Sequence, residues 1–256
     1  MRIRVLMAAL AVSAGGAAHA QEARQADPLE PFNRSMFAFN EQVDKYVLSP
    51  VAHGYRAVTP KPVRTGVSNV LSNLNAPVVF VNDVLQASPK RAGTTFARFG
   101  INSTIGVAGI FDVASGAGLK KHSEDFGQTL GRWGVGQGPY IVLPLLGPST
   151  IRDATGQVVD VAFNPLNYAE FDGDDATRIG IGVLEVVSAR ESAIEAIDDI
   201  YETSIDPYVS IRNGYLTFRE GAVRNGQEDV QDLPDFEDTP SDTGPAPQTP
   251  EQPKTP

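Results

Sequence analysis

Between Phe126 and Asp153 the chain reads FGQTLGRWGVGQGPYIVLPLLGPSTIRD, and this stretch limits the possible fold more than any other. It opens as a short helix: Ser123 can cap, Glu124 and Asp125 suit a first turn, and Leu130 and Trp133 point the same way. Gly127, Gly131, Gly134, Gly136 and Gly138 then thin the chain out. The uncharged run from Tyr140 to Leu146 is broken by Pro144 and closed by Gly147 and Pro148. Glycine and proline at that density forbid a long helix and force tight backbone turns. Such an apolar hairpin or re-entrant loop belongs either in a core or against something greasy.

Residues 1–20 read as a secretory signal peptide. Arg2 and Arg4 give a basic start, Val5 to Ala14 an apolar middle, and Ala18-His19-Ala20 an A-x-A cleavage site. The mature chain is expected from Gln21, in the periplasm or on the outer membrane of a bacterium. No cysteine occurs in the 256 residues, so no disulfide, thiolate metal site or acylated cysteine is expected. Residues 21–227 suffice for one domain with a real core. Much of the formal charge of −10 sits in residues 228–256, which hold eight acids, one lysine and seven of the nineteen prolines. That tail is expected to be disordered. An acidic chain without a basic stripe does not suit nucleic acid. No apolar run of about 18 residues follows the signal, so no ordinary membrane-spanning helix is expected.

Along the body, amphipathic helices are expected. Phe32, Met36, Phe39, Val43 and Val47 recur at steps of four and three, up to Pro50. This stripe is bulky, and either a core-facing or an interfacial face fits it. A second helix spans Lys61 to Leu74 and breaks at Asn73-Leu74-Asn75, and Pro77 opens a third short one. Ser88-Pro89 caps another, carrying Phe96, Phe99 and Ile101. Thr104 to Gly118 holds one charge, Asp112, and four glycines, which fits a small-residue helix that other chains approach closely. Lys120-Lys121-His122 reads as a solvated turn. Asp172-Gly173-Asp174-Asp175 lacks calcium-loop spacing and reads as a turn and cap to a helix over 176–189, with Ile179, Val183, Val186 and Val187 inward. Further helices follow from Ser192 and from Asp206-Pro207. Strand signals are nearly absent, so the chain is all-α, in short and often glycine-broken pieces.

Catalytic patterns are missing. Outside the signal only His53 and His122 remain, and neither sits in a Ser/Asp or metal-ligand spacing. No H-E-x-x-H, G-x-S-x-G or phosphate loop occurs, and the glycines from 131 to 138 match no dinucleotide fingerprint. No enzyme activity, cofactor or metal is expected. Three apolar segments (77–85, 104–118 and 139–148) are too short to cross a bilayer and too broken for plain core helices. Pieces of this kind, with aromatic faces, suit a protein lying partway into one leaflet, with Phe32, Phe39 and Trp133 at headgroup depth. Irregular backbone is tolerated at that depth only where protein covers it or it lines a polar cavity.

DPLEPFNRSMFAFN (27–40), RTGVSNVLSNLNAPVVFVNDVLQ (64–86), FARFGINSTIGVAGIFDVA (96–114), the 126–153 stretch and IDPYVSIRNGYLTFRE (205–220) resemble the MlaA family, also called VacJ. The resemblance covers residues 27 to 226. It implies a ring-shaped bundle of amphipathic and short broken helices in one membrane leaflet, with a central channel. It also implies a role in the Mla phospholipid-transport system: removing mislocalised phospholipid from the outer leaflet, beside a trimeric porin, and passing it to the periplasmic carrier MlaC. On that basis Gly106, Gly109, Ile110, Phe111, Tyr140, Leu143, Pro144 and Leu145 are candidates for the lipid channel, and Arg34, Asp112 and Arg152 for charges at its mouth. The sequence departs from the family at the lipobox cysteine, where it has Ala-His-Ala. Amphipathic helices and a porin are then expected to hold the protein. The alternative is a soluble periplasmic lipid-binding carrier.

Overall fold

Proline marks the starts of several helices, yet Pro50 and Pro77 lie within longer helical runs. In the computed structural model, residues 27–170 and 173–225 are described; the signal over 1–20 and the tail over 228–256 lie outside them. Helix α1 (Glu30–Val43), with Pro31 in its first turn, continues through a π-helical turn (Asp44–Leu48) into α2 (Ser49–Val58). The sequence reading ended this helix at Pro50. The π turn removes that need: Ser49 N–H bonds back to the Asp44 carbonyl, so the ladder is already widened where proline lacks its N–H. Helix α3 (Lys61–Leu85) likewise runs through the expected break at residues 73–75, with Pro77 inside it. Packing outweighs the roughly 3 kcal/mol that an interior proline costs, because Asn73, Val78, Val79, Asn82 and Asp83 are all buried.

Helix α4 (Pro89–Thr104) follows. The next segment does not form the small-residue helix read from its composition. Val107, Ala108 and Gly109 take positive φ of 53°, 55° and 92°, and only α5 (Val113–Gly116) is helical. Gly109 is required there twice over, since an added Cβ would also stand 2.6 Å from Asn73 Cβ. Helix α6 (Phe126–Arg132) is capped by Asp125, which accepts from Gln128 N–H. Strands β1 (Tyr140–Leu143) and β2 (Gly147–Thr150) pair antiparallel with Tyr140 opposite Thr150. Thr150 then caps α7 (Ile151–Phe163). The remaining helices are α8 (Asp174–Ser192), started by left-handed Gly173, α9 (Ile194–Thr203) and α10 (Pro207–Val223). The described fold is mostly helical with one small hairpin, and none of its helices is long and apolar enough to cross a membrane.

Neighbour relations close on themselves. The run α1–α2 packs on α8, α8 on α3, α3 on α6 and α7, α6 on α10, and α10 on β2, while β1 returns to α1. At the α6–α7 crossing Gly127 and Gly156 let the backbones touch; a Cβ on Gly156 would meet Gly127 N at 2.3 Å.

Burial is inverted relative to a water-soluble domain. Among the described residues ten apolar side chains are buried, against seventeen polar or charged ones. Meanwhile Phe32, Phe39, Phe96, Phe111, Trp133 and Phe218 are exposed. On α8 the stripe read as inward is mostly outward: Ile179, Val183 and Val186 are exposed and only Val187 is buried. Buried polar groups and exposed large apolar ones are the informative departures from the usual pattern.

Candidate functional site

Two of the cavities bordered by these elements differ in character. One, of about 500 Å³, is apolar and walled by α1, the hairpin, α9 and α10 through Phe37, Val142, Leu145, Leu146, Ile200 and Phe218. The other, of about 760 Å³, is polar and walled by α3, α4, the 121–123 loop, α8 and α10, with Asn73, Asn75, Arg98, Asp112, Lys121 and His122 on its surface. Phe218, itself exposed, borders both.

The polar cavity is framed by matched charges. Arg98 Nη2 donates to both oxygens of Asp112 at 2.9 Å, and Asn102 and Ser115 donate to the same carboxylate. Burial pushes that carboxyl up, yet the bonds from Ser115, Arg98 and Asn102 win and hold it well below the usual carboxylate range. Behind the wall, fully buried Asp83 meets His122 Nε2 at 2.9 Å and accepts from Thr95 Oγ1 at 2.6 Å. The 120–122 segment is therefore not only a solvated turn, because His122 is anchored inside. Next to it Glu124 takes bonds from Arg91 and Gln86. Burial still pushes its carboxyl above the ordinary value.

A third network closes the glycine-rich stretch. Arg219 donates to Asp125 at 2.6 and 2.9 Å and to Asp153 at 2.9 and 3.0 Å, and Tyr215 Oη adds a bond to Asp153 at 2.8 Å. One guanidinium thus holds both ends of residues 125–153. Burial opposes ionisation of these two carboxyls, but the Arg219 bonds and charge dominate and hold both below their usual value.

The apolar cavity is held differently. Tyr140, Val142 and Tyr208 form a small buried cluster with Phe37 and Tyr215 against it. Two asparagines of α1 fasten the hairpin by its backbone. Asn33 donates to Tyr140 O at 3.0 Å and accepts from Val142 N at 2.9 Å; Asn40 donates to Leu143 O at 2.9 Å and accepts from Leu145 N at 2.7 Å. Seven helical residues rise about 10.5 Å and three strand residues about 10 Å, so the two spacings match. The amides do for β1 and its tip what a further strand would do.

The structure distributes the sequence-derived site residues widely. Asp112 lines the polar cavity and Leu145 the apolar one. Ile110 and Phe111 line an open cleft with Lys61 and Gly66, and this cleft shares Asn69 and Asp112 with the polar cavity. Gly106 and Gly109 are buried, and a Cβ on Gly106 would meet Phe111 O at 2.3 Å. Tyr140 is in the aromatic cluster, Leu143 is half-buried, and Pro144 is exposed at the turn. Arg34 sits over the Tyr208 ring and pairs with Glu30 and Asp206 at 2.7 Å each. Arg152 is buried against Asp153. Phe32, Phe39 and Trp133 are all about half exposed, at 48%, 48% and 54%. Sequence reasoning missed Phe218, Asn33, Asn40 and the Asp83–His122 pair as site-forming. The one available signal was Asn82-Asp83 standing alone in an apolar helix.

The comparisons with known proteins converge. The profile of the family described as MlaA lipoprotein matches residues 25–222. The intermembrane phospholipid transport system lipoprotein MlaA of Escherichia coli (strain K12) is 38% identical over 208 residues, covering 80% of each chain. Its Haemophilus influenzae namesake is 35% identical over 246 residues, covering 92% of this chain and 97% of that one. A solved structure presented as the structural basis for maintenance of bacterial outer membrane lipid asymmetry superposes with a TM-score of 0.68 at 38% identity. It covers 77% of this chain and 99% of that chain.

Proposed function

This chain belongs to the MlaA lipoprotein family, and from that premise we propose that it moves phospholipid between membranes to maintain outer-membrane lipid asymmetry. It lies in the inner leaflet, held by its exposed aromatic and aliphatic side chains, beside a trimeric porin. Phospholipid misplaced in the outer leaflet enters an amphipathic passage through the body and leaves to a periplasmic carrier of the MlaC type. The observation that carries this reading is an apolar and a polar cavity bordered by the same residue, Phe218, in a body that exposes many large apolar side chains.

The physics favours such a passage. Each buried CH₂ is worth about 0.8 kcal/mol, so exposing both acyl chains to water costs on the order of 20 kcal/mol. An apolar wall removes most of that barrier, and a polar space beside it keeps the headgroup solvated. No bond is made or broken, so nothing catalytic is needed. The exposed phenylalanines bind best where water is absent, which offsets the small buried apolar core.

Deleting the gene and labelling phospholipid on the intact cell surface tests the proposal. Surface phospholipid rises if the reading holds. An unchanged surface leaflet, with the protein released from membranes by salt alone, would instead point to a soluble periplasmic lipid carrier.

A further inference from the structure

Resting on the transport reading, we propose that the polar cavity is the headgroup compartment of the passage, receiving the phosphodiester of a glycerophospholipid on Lys121 and Asn75.

Charge is the first observation. Arg98 and His122 at the cavity wall are already matched, by Asp112 and by Asp83. Arg98 neutralises Asp112, and Asp83 is fully buried with Arg91 3.5 Å away, so neither carboxylate repels an incoming phosphate. Lys121 lines the same wall and has no ion-pair partner among the described residues. It leaves a single uncompensated positive charge, the complement of one phosphodiester.

The neighbouring donors are the second observation. Asn69, Asn73 and Asn102 commit their amide N–H groups to Ile110 O, Ser103 and Asp112. Asn75 and Ser72 line the cavity half-buried, and neither side chain bonds to another described residue. They can donate to phosphate oxygens while Lys121 supplies the charge. Position is the third. Phe218 of α10 borders both the polar and the apolar space, so a lipid with its phosphate beside Lys121 has an apolar wall on the far side of the same residue for its chains.

The test uses the full chain purified in a non-ionic detergent and titrated calorimetrically with three probes: dihexanoylphosphatidylglycerol, dihexanoylglycerol, which has the same chains without phosphate, and glycerol 3-phosphate. The wild type should bind the phosphatidyl lipid about tenfold more tightly than the diglyceride, as one charge-assisted contact requires. Lys121→Glu should erase that preference and leave diglyceride binding in place, while Lys121→Arg should keep the preference. Lys121 is exposed, so neither variant disturbs the fold. A preference surviving in Lys121→Glu overturns the proposal. So does glycerol 3-phosphate binding as tightly as the lipid, which would mark a plain anion site. If the wild type binds both lipids equally, the headgroup compartment fails while the passage stands; if it binds neither, the transport reading itself fails.

Discussion

The two cavities share one phenylalanine, yet their walls are built by opposite means. Around the polar one, side-chain charges answer one another: Arg98 with Asp112, His122 with Asp83, and nearby Arg219 with Asp125 and Asp153. Around the apolar one, rings pack edge to face, such as Tyr140 on Tyr208 with centroids 6.2 Å apart, and neutral amides grip the backbone. The difference shows how a chain with a small apolar core can stay ordered. A buried charge without its partner is far more costly than a missing methyl group, so matched pairs fix element positions with little apolar burial. Neutral clamps hold the hairpin without placing a charge on its apolar cavity face.

The comparison breaks hardest at Arg219. Arg219→Met leaves half-buried Asp125 without its cation and buried Asp153 with Arg152 alone, and a loss of about 3 kcal/mol is expected. Thermal unfolding in detergent should drop by many degrees; a near-unchanged midpoint would mean that the network contributes little. The apolar half should respond less. Asn33→Leu orphans the Tyr140 carbonyl and the Val142 amide, each buried, for a loss of about 2 kcal/mol. Faster hydrogen exchange at the Val142 amide should accompany it.

Acid should separate the halves as well. Asp125 and Asp153 have folded pKa values below their unfolded ones. Their contribution is therefore present above the unfolded value near 4 and is lost as pH falls through the folded values. Glu124 and Asp160 are shifted upward, so their effect has the opposite sign and partly offsets this loss on the way down. Stability measured from about pH 7 to about pH 3 should decline at the acid end in the wild type and less steeply in Arg219→Met. The smallest effect on stability belongs to the exterior: Phe32→Ser with Phe39→Ser should change unfolding in detergent by no more than about 0.5 kcal/mol each. The same pair should loosen the protein from membranes in a salt or alkaline wash, and full retention would remove these side chains from the membrane contact.

Much was legible before any coordinates. The starts of α3, α4 and α10 follow from Pro62, Pro89 and Pro207, and the helix-then-hairpin character of 126–153 follows from its glycines and Pro144. What misled was proline and glycine inside longer elements. Pro50 and Pro77 do not end their helices, because a π turn and a packed face absorb them, and the small residues after Thr104 make left-handed turns rather than a helix. Close packing also shapes two of the channel candidates: Gly106 and Gly109 are crowded by backbone and by Asn73, whereas Phe218 was legible only as one more apolar position on α10.

Local rules act over a few residues, and so residue order alone set the helix periods, the interruptions after Thr104 and around Pro144, and the family. Which side of each helix meets protein was decided by the tertiary structure alone. Apolar periodicity looks the same whether the partner is a core, an acyl chain or a leaflet, and only the packing of the helices places Val187 inside, Ile179 outside and Asp83 out of water.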